Sequence, residues 1–342
     1  MSFDMTGISP VFWDLRHGEP IPMQAPPPPL TVCLGNFDGV HKGHASLLHL
    51  TKELRDQQLP NALCGVFTFY CPSTDYLRGA NCETPFDKTF IGNGQFHLTT
   101  LEEKLSIFHQ LGMDFVCLCE FESICSLSPE DFLSFLSHAL GVRGAVCGFN
   151  YHFGAQGRGT AAQLKAYFDR PEDGYYAKIA DPVIVDGETV SATYIRRLLQ
   201  EGHADTAIRH LGRPYALESV VVKGKRLGRK LGFPTANQYF YPESLIPALG
   251  VYAVLCHTPL GVFPGVANIG SHPTVDEHAE VNCETHIFGP AQDLYGYRMR
   301  VEFLCRLRPE KQFSSLEALT AAISADAIAA EAYVKQYLTS HK

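Results

Sequence analysis

The chain has 342 residues, 45% of them hydrophobic and 19% charged, with a formal net charge of −8. This length exceeds one small core and predicts two domains. The negative charge and the lack of a basic tract argue against a nucleic-acid partner. No apolar run reaches transmembrane length, and the N-terminus lacks the charged and apolar regions of a signal peptide. We therefore expect a cytoplasmic protein without membrane contact, acting as a monomer or weak homo-oligomer.

The eleven cysteines fit a reducing compartment, because most of them lie in apolar, strand-like runs. Cys117, Cys119 and Cys125 are closely spaced, but the spacing matches no zinc pattern. Alternation along residues 115–121 places the first two in a strand. We expect buried, reduced thiols rather than a metal site.

The first half of the chain begins with a proline-rich lead-in and then alternates strand-like and helix-like runs. Residues 1–30 end in Pro26–Pro29, which predicts a stiff segment with no packed core of its own. The predicted strands are 31–34, 62–69, 115–119 and 144–147, and the predicted helices are 44–57, 100–111 and 129–140. This alternation predicts a doubly wound, Rossmann-like parallel sheet with ligands beyond the carboxyl ends of its strands. The polar insert 73–96 is expected to be a mobile loop or lid.

The turn after the first predicted parallel strand carries the strongest local signal. Residues 31–44 run from an apolar strand through Gly35 and Gly39 to two histidines, His41 and His44, that flank Gly43. A helix N-terminus at this point would attract phosphate, and the glycines would let the backbone approach it. The histidines could donate hydrogen bonds to phosphoryl oxygens. The alternative is that each is an ordinary loop or core histidine; two of them around one glycine favour a nucleotide site.

The second half of the chain has a different pattern of predicted secondary structure. Two short predicted helices, 191–199 and 204–211, are followed by short β-like runs at 217–223, 250–257, 262–268, 281–287 and 298–306. These runs, punctuated by Gly and Pro, predict a small antiparallel β-barrel, closed by a helical segment at 314–339. We place the domain boundary between residues 212 and 213, giving domains 1–212 and 213–342.

A glycine-rich basic segment, residues 224–237, opens this second domain. Its free N–H groups and basic side chains predict polyphosphate binding, although it is not a Walker loop. The residues that would contact phosphate are Gly224, Lys225, Gly228 and Gly232. Thr235 and Asn237 lie on one side of an extended chain and offer the hard oxygen ligands that Mg²⁺ prefers.

Glu284 lies in the middle of a predicted strand, and alternation places Asn282 and His286 on the same face. A carboxylate in this position is either a solvated surface group or a general base. The residue pattern alone leaves both readings open.

From about residue 30 to 332, the chain resembles the bifunctional riboflavin kinase/FMN adenylyltransferases, the bacterial-type FAD synthetases. The resemblance rests on ten motifs that occur in the order typical of that family. In the first half they are Gly-Asn-Phe-Asp-Gly-Val-His-Lys-Gly-His (35–44), Leu-Thr-Thr-Leu-Glu-Glu-Lys (98–104), Gly-Phe-Asn-Tyr-His-Phe-Gly (148–154) and Ser-Ala-Thr-Tyr-Ile-Arg (191–196). In the second half they are Gly-Phe-Pro-Thr-Ala-Asn (232–237), Gly-Val-Tyr (250–252), Asn-Ile-Gly (268–270), Glu-Thr-His (284–286), Leu-Tyr-Gly (294–296) and Arg-Pro-Glu (308–310).

The resemblance implies two successive reactions on small-molecule substrates. The barrel domain would transfer the ATP γ-phosphate to riboflavin, with Glu284 as the base and with Thr235 and Asn237 holding Mg²⁺. The first domain would join FMN to AMP from a second ATP, with His41, His44 and Arg196 around the α-phosphate. The other residues that the resemblance assigns are, for nucleotide, Phe37, Asp38, Ser191 and Thr193, and, for flavin, Asn150, Arg308 and Glu310.

The sequence departs from the family pattern mainly in the first domain. Asn150 stands where members usually have Asp, Ala192 replaces a Ser, and Phe69–Pro72, with Cys71, replaces a Pro-His-Pro-like element. In the second domain His272 replaces an Arg. The alternative hypotheses are therefore a riboflavin kinase with a degenerate adenylyltransferase domain, and a non-catalytic flavin-binding regulator. The retained Thr235, Asn237 and Glu284 argue against the regulator, which has no use for a base.

Overall fold

The structure is a computed structural model. The structure describes residues 8, 10–20, 28–70, 97–224, 228, 231–240, 244–272, 280–290 and 293–340. The predicted lid at 73–96, Cys71 and Lys225 lie outside these residues. The chain separates into two compact units, Met1–Val190 and Ser191–Lys342. Within the described ranges, no helix combines the length and apolar character needed to cross a membrane.

The first unit is built on a seven-stranded sheet. Its strands are β1 (Val11–Asp14), β2 (Glu19–Pro20), β3 (Leu30–Leu34), β4 (Leu63–Tyr70), β5 (Phe115–Glu120), β6 (Val142–Gly148) and, after two short strands described below, β9 (Tyr176–Ala180). The order is β2-β1-β5-β4-β3-β6-β9, and the pairs among β5, β4, β3, β6 and β9 are all parallel. The predicted parallel sheet is confirmed.

The sheet forms because its inner strands are apolar on both faces. All five residues of β3 are buried, as expected of a parallel strand covered on both sides. The helices that cover it include α1 (Lys42–Gln58), α2 (Leu101–Gln110), α3 (Phe121–Ile124), α4 (Pro129–Ser134) and α5 (Ala161–Phe168). Helix α4 continues into a π-helical turn, Phe135–Ala139, so the predicted helix at 129–140 is confirmed with a change of winding. Short hairpins β7 (His152–Phe153) with β8 (Gly159–Thr160), and β10 (Ile184–Val185) with β11 (Glu188–Thr189), complete the unit.

The prediction of an unpacked lead-in at 1–30 is wrong for residues 11–20. Strand β1 pairs antiparallel with β5, and Phe12 is buried against Phe115 with ring centroids 5.8 Å apart. The turn after β1 is closed by Asp14, which accepts hydrogen bonds from the backbone and the guanidinium of Arg16. A strand such as β1 has no signal of its own, because its partner β5 is about one hundred residues away in the chain. Strand β9 was likewise missed.

The second unit begins with α6 (Ala192–Glu201) and α7 (Ala204–Leu211), as predicted. Its six-stranded antiparallel sheet contains β12 (Tyr215–Val220), β13 (Ala236–Tyr239), β14 (Gly250–Thr258), β15 (Gly261–His272), β16 (Glu280–Ile287) and β17 (Arg298–Pro309). The order is β12-β17-β14-β15-β16-β13, and a bridge between Val222 and Asn237 links the two ends of this order. The antiparallel sheet and the terminal helix α8 (Leu316–Ser340) are confirmed, and β13 was missed.

The position of α6 and α7 differs from the predicted domain division. The compact units divide after Val190, which places both helices in the second unit, where α7 packs against β12 and β17. The sequence analysis placed them in domain 1–212. The assignment of α6 and α7 to domain 1–212 stays a prediction, because a compact unit need not coincide with a domain.

The thiols are mostly buried, as predicted. Cys33, Cys64, Cys117, Cys119, Cys147, Cys256 and Cys283 are buried, and all described cysteines are free. Burial raises the pKa of Cys64 and Cys147 to about 12, which keeps these thiols protonated and unreactive. Cys125 is exposed, so the prediction of burial is wrong for this residue. It follows the short helix α3 at the surface and not the strand that buries Cys117 and Cys119.

Candidate functional sites

The turn between β3 and α1 has an unusual backbone. Phe37, Gly39 and Val40 have φ angles of 54°, 79° and 35°. Positive φ suits glycine, but it is strained for a bulky or β-branched residue, at roughly 1–3 kcal/mol each. Phe37 and Val40 are nevertheless almost fully buried. The surrounding structure therefore imposes this conformation.

The segment that leads into α2 holds the turn. The buried carboxylate of Asp38 accepts hydrogen bonds from the backbone N–H groups of Leu98 at 3.0 Å and Thr99 at 3.3 Å. The Gly39 N–H donates to the Thr99 hydroxyl at 3.0 Å. Asp38 was predicted to contact nucleotide; in this structure its carboxylate acts on the turn, and a direct nucleotide contact stays a prediction.

A second attachment fixes the residue before Phe37. The carbonyl of Asn36 accepts a hydrogen bond from the Lys104 ammonium at 3.1 Å and from the Thr68 hydroxyl at 3.2 Å. Lys104 lies on α2 and is only 5% exposed. A buried ammonium beside the turn adds positive charge where an anionic ligand would be bound.

His41 and His44 come together at the start of α1. His41 is the N-cap, and its Nδ1 accepts the His44 N–H at 3.2 Å. The two rings stack with centroids 3.7 Å apart and planes 11° apart, and Phe37 lies 5.0 Å from the His44 ring. Because Nδ1 of His41 is an acceptor, the ring carries its proton on Nε2, which is then a donor. The predicted histidine pair at a helix N-terminus is therefore present.

Two of the predicted glycines leave room for these aromatic rings. A Cβ at Gly43 would lie 3.2 Å from the His41 ring, and a Cβ at Gly35 would lie 3.1 Å from the Phe37 ring. Gly35 also donates its N–H to Phe67 in β4 at 3.2 Å. These glycines serve the turn by allowing side chains to close over the backbone.

Asn150 lies just beyond β6 at the carboxyl edge of the parallel sheet. It is exposed, and the preceding Phe149 is 51% exposed. Tyr151 turns inward, and burial raises its pKa well above the usual range. The position fits a ligand-facing residue at the edge where parallel sheets bind their ligands.

The remaining predicted nucleotide residues of this group lie on α6, in the second unit. Ser191 is the N-cap, and its hydroxyl accepts the Tyr194 N–H at 3.2 Å. Thr193 is exposed, whereas Arg196 is 8% exposed on the buried face of the helix. Ser191 therefore has a structural role as a cap in addition to the role the sequence predicted.

The second unit brings its predicted residues together across three strands. Glu284 in β16 lies directly opposite Asn237 in β13 and directly opposite Asn268 in β15. Opposed residues in a sheet point to the same face, with Cβ atoms about 5 Å apart. A carboxylate flanked by two amides therefore lies on this face, with Thr235 beside it: the Asn237 Nδ2 is 3.4 Å from the Thr235 hydroxyl.

Asn282 supports Glu284 from the same strand. Its Nδ2 lies 3.4 Å from the Glu284 Oε1, and the Asn282 side chain is almost fully buried. Glu284 itself is half-buried, so that it remains accessible beside an oriented neighbour. This placement favours an oriented carboxylate over a freely solvated one.

The side chain of Glu310 approaches β15 at Gly270. A Cβ at Gly270 would lie 2.7 Å from the Glu310 Oε1 and 3.0 Å from the Asn268 Nδ2. Gly270 is the residue opposite Asn282 in the β15–β16 pair. The carboxylate of the predicted flavin residue Glu310 therefore lies at Gly270, two residues along β15 from Asn268, which is opposite the predicted base Glu284.

Arg308 is held by the terminal helix. Its guanidinium donates to both carboxylate oxygens of Asp326 in α8, at 2.8–3.1 Å, and lies 5.5 Å from the Phe313 ring. Arg308 is thus already paired with Asp326. Its predicted flavin contact would use the guanidinium N–H groups that Asp326 does not accept.

Two described glycines of the glycine-rich segment, Gly224 and Gly228, lie close to the predicted metal ligands and the residues beside them. A Cβ at Gly224 would lie 2.6 Å from the Asn237 amide, and a Cβ at Gly228 would lie 2.3 Å from the Phe233 carbonyl. Gly232 has a φ of 86°. His286 fixes the same segment, because its Nδ1 lies 2.9 Å from the Pro234 carbonyl. A glycine cradle over hard oxygen donors fits Mg²⁺ with nucleotide phosphates.

Sequence reasoning missed Thr99, Lys104 and Asn268 as site residues. The first two act on a turn about sixty residues earlier in the chain, which no local pattern shows. Asn268 could have been found from its position in a strand beside the Glu284 strand, but the register was not known.

Taken separately, the two units define the class of protein: one has a histidine-capped helix at the carboxyl edge of a parallel sheet, and the other has a carboxylate among amides and a glycine cradle. Both are arrangements suited to enzymes that transfer phosphoryl or nucleotidyl groups. Family models agree with this class: the FAD synthetase model matches residues 24–194 and the riboflavin kinase model matches residues 211–334.

Named relatives agree over most of the chain. The bifunctional riboflavin kinase/FMN adenylyltransferase of Bacillus subtilis is 32% identical over 86% of this chain and 89% of the relative. Those of Pseudomonas fluorescens and Escherichia coli K12 are 35% and 33% identical, over 87% and 91% of this chain and 91% and 94% of the relatives. A solved structure described as a macrolide-efflux protein from Streptococcus pneumoniae is 29% identical with a TM-score of 0.75, covering 87% of this chain and 93% of that one. The chain belongs to the bifunctional riboflavin kinase/FMN adenylyltransferase family.

Proposed function

We propose that this protein phosphorylates riboflavin to FMN with ATP and then adenylylates FMN to FAD with release of pyrophosphate. The observation that carries the proposal is the row of Asn237, Glu284 and Asn268 across three strands, with Thr235 beside it. A non-catalytic flavin carrier would have no use for an oriented carboxylate there. We further propose that the first unit is a Rossmann-like nucleotidyltransferase domain and the second a riboflavin kinase-type barrel.

In the kinase reaction, the 5′-hydroxyl oxygen of riboflavin attacks the γ-phosphorus of ATP, the bond to the bridging oxygen breaks, and ADP leaves. Glu284 accepts the hydroxyl proton, held in place by the Asn282 amide. Phosphoryl transfer mainly requires positioning and charge neutralisation, so one oriented carboxylate is sufficient protein chemistry. Mg²⁺, when bound by Thr235 and Asn237, supplies charge on the phosphates. Gly224, Lys225, Gly228 and Gly232 would hold those phosphates.

In the adenylyl transfer, a phosphate oxygen of FMN attacks the α-phosphorus of ATP and pyrophosphate leaves. The attacking phosphate is already ionised at neutral pH, so this step needs donors rather than a base. His41 presents its Nε2–H, and His44 stacks against it at the N-terminus of α1, where negative charge is stabilised. The sequence prediction that Arg196 supplies a guanidinium for adenylyl transfer is kept as part of the proposal.

The other predicted contacts are part of the proposal. The predicted nucleotide-binding residues are, in the first unit, Gly35, Phe37, Asp38, Gly39 and Gly43, and, in the second unit, Ser191 and Thr193. The flavin would contact Asn150 in the first unit and Arg308 and Glu310 in the second. Exposed Asn150 at the carboxyl edge of the sheet supports the first of these, and the position of the Glu310 carboxylate at Gly270 supports the last. A cytoplasmic location stays a prediction from composition, and a monomeric or weakly oligomeric state stays an expectation.

The test is a time course with purified protein, riboflavin, Mg²⁺ and ATP, in which the flavins are separated by chromatography. The expected result is FMN followed by FAD. FMN alone would favour the alternative, a riboflavin kinase in which Asn150, Ala192 and the 69–72 segment have disabled the first unit. The absence of both products would contradict the proposed function.

A further inference from the structure

Thr99 holds the strained turn at two points. It lies just before α2, is 5% exposed, and its hydroxyl accepts the buried Gly39 N–H at 3.0 Å. Its own N–H donates to the Asp38 carboxylate at 3.3 Å, and its hydroxyl lies 3.5 Å from the same carboxylate. Two consecutive turn residues are thus attached to one threonine sixty residues away.

The turn leads directly into the histidine pair. Gly39 is two residues before His41, the N-cap of α1, and Val40 between them has a φ of 35°. Because Val and Phe do not prefer positive φ, this path persists only where other contacts hold it. The attachment at Gly39 is therefore one of the contacts that hold the path leading to the His41 and His44 rings.

We propose that Thr99 is a positioning residue for adenylyl transfer: its hydroxyl holds the Gly39 N–H, so that the turn presents His41 and His44 to the α-phosphate. This inference rests on the proposed function of the first unit. Thr99 does not touch the reacting atoms itself. Thr99 acts on the positions of His41 and His44. A displacement of about 1 Å in a catalytic group can lower a rate about a hundredfold.

The adjacent Thr100 provides a matched control. Its hydroxyl accepts the Glu103 N–H at 3.2 Å and caps α2, without reaching the turn. Replacing either threonine by valine keeps the branched shape and removes the hydroxyl. Only at Thr99 does this change remove a hydroxyl that accepts the buried Gly39 N–H.

The experiment compares full-length wild type, Thr99→Val, Thr99→Ser and Thr100→Val. Measured are kcat and KM for FAD formation from FMN, FMN formation from riboflavin, the unfolding temperature, and ATP affinity by calorimetry. We expect Thr99→Val to lower kcat for FAD formation at least about tenfold, which corresponds to about 1.4 kcal/mol. Thr99→Ser, which keeps the hydroxyl, should recover most of this loss. Thr100→Val removes a helix cap and should lower the unfolding temperature, but its kinetics of FAD formation should match wild type. FMN formation should be unchanged in all variants.

Unchanged FAD kinetics in Thr99→Val would overturn the inference. A loss that serine does not recover, or one matched by equal loss of FMN formation with a lower unfolding temperature, would assign Thr99 a purely structural role and also overturn it. If the wild type forms no FAD, the proposed function of the first unit fails separately. ATP affinity then decides: weaker binding in Thr99→Val, but not in Thr99→Ser, supports the inference, and equal binding overturns it.

Discussion

Glu284 and Asn237 are cross-strand neighbours, paired in register between β16 and β13, with Asn268 in the same position on the other side of Glu284. The relationship places a potential base and a potential metal ligand side by side, although they are forty-seven residues apart in the chain (284 − 237 = 47). Because both side chains are set by strand register, their separation does not depend on a loop. The site is therefore built on rigid elements.

Replacing Glu284 by Gln should abolish most FMN formation while flavin binding persists. The amide keeps the shape but cannot accept the hydroxyl proton, and losing general-base catalysis costs about a hundredfold to ten-thousandfold in rate. Turnover is measured by chromatography and binding by flavin fluorescence. Glu218→Gln in β12, which removes only an exposed pair with Arg298, is the control and should leave the rate within about twofold. Undiminished FMN formation in Glu284→Gln would show that this residue is not the base.

Replacing His44 by Ala should suppress FAD formation and spare FMN formation. The change removes the ring that stacks on His41 and a donor at the helix N-terminus, and the loss of one such donor typically costs about a hundredfold or more in kcat. His49→Ala, an exposed histidine on the same helix, serves as the control. Equal loss of both activities in His44→Ala would point to damage of the fold or to coupling between the reactions.

Both reactions should require Mg²⁺. An excess of chelator should stop FMN and FAD formation, and added Mg²⁺ should restore them. Thr235→Val should raise the Mg²⁺ concentration needed for FMN formation, because it removes one oxygen ligand from the proposed site. Thr258→Val, at the β14–β15 hairpin, should not change that concentration. A rate that persists in chelator would contradict the metal requirement.

The Arg308–Asp326 pair should stabilise the docking of α8 on the sheet. The side chains of the pair are 22% and 13% exposed, so the pair is partly shielded from water. Asp326→Asn should lower the free energy of unfolding by about 1–3 kcal/mol, since it leaves the guanidinium without its carboxylate. The matched exposed pair, broken by Glu218→Gln, should change it by less than about 0.5 kcal/mol. The free energies of unfolding are measured by denaturant titration. Equal losses in Asp326→Asn and Glu218→Gln would contradict the idea that burial strengthens the Arg308–Asp326 pair.

Asp14 should make stability fall in acid. Hydrogen bonds from Arg16, with smaller contributions from His17, hold the pKa of this buried carboxyl well below its usual range. A lowered folded-state pKa stabilises the fold above the unfolded-state pKa of about 3.9 and loses that contribution as the pH falls below it.

Asp14→Asn should therefore destabilise the protein at pH 7, by about 1–2 kcal/mol because Arg16 is 43% exposed and solvent weakens the pair. The difference from wild type should shrink as the pH falls below about 4. Asp181→Asn, at an exposed position of the first unit, is the control. A difference that is independent of pH would show that Asp14 acts by packing and not by its charge.

The sequence by itself determined the parallel and antiparallel sheets, most helix bounds, the histidine-capped turn and the family. These features depend on local patterns: apolar runs for β3 to β6, short β-like runs punctuated by Gly and Pro for β14 to β17, and the Ser128–Pro129 start of α4. The family motifs are also local, so they could be read in order along the chain.

Only the tertiary structure decided how distant segments meet. It showed that β1 pairs with β5, that Cys125 is exposed while its neighbours are buried, and that Asp38 binds the backbone of Leu98 and Thr99. Local sequence carries no record of such partners, because strand pairing and side-chain hydrogen bonds across sixty residues are fixed by the packing of the whole unit. The register that sets Asn268 beside Glu284 belongs to the same class, since a shift of one residue would turn either side chain to the opposite face.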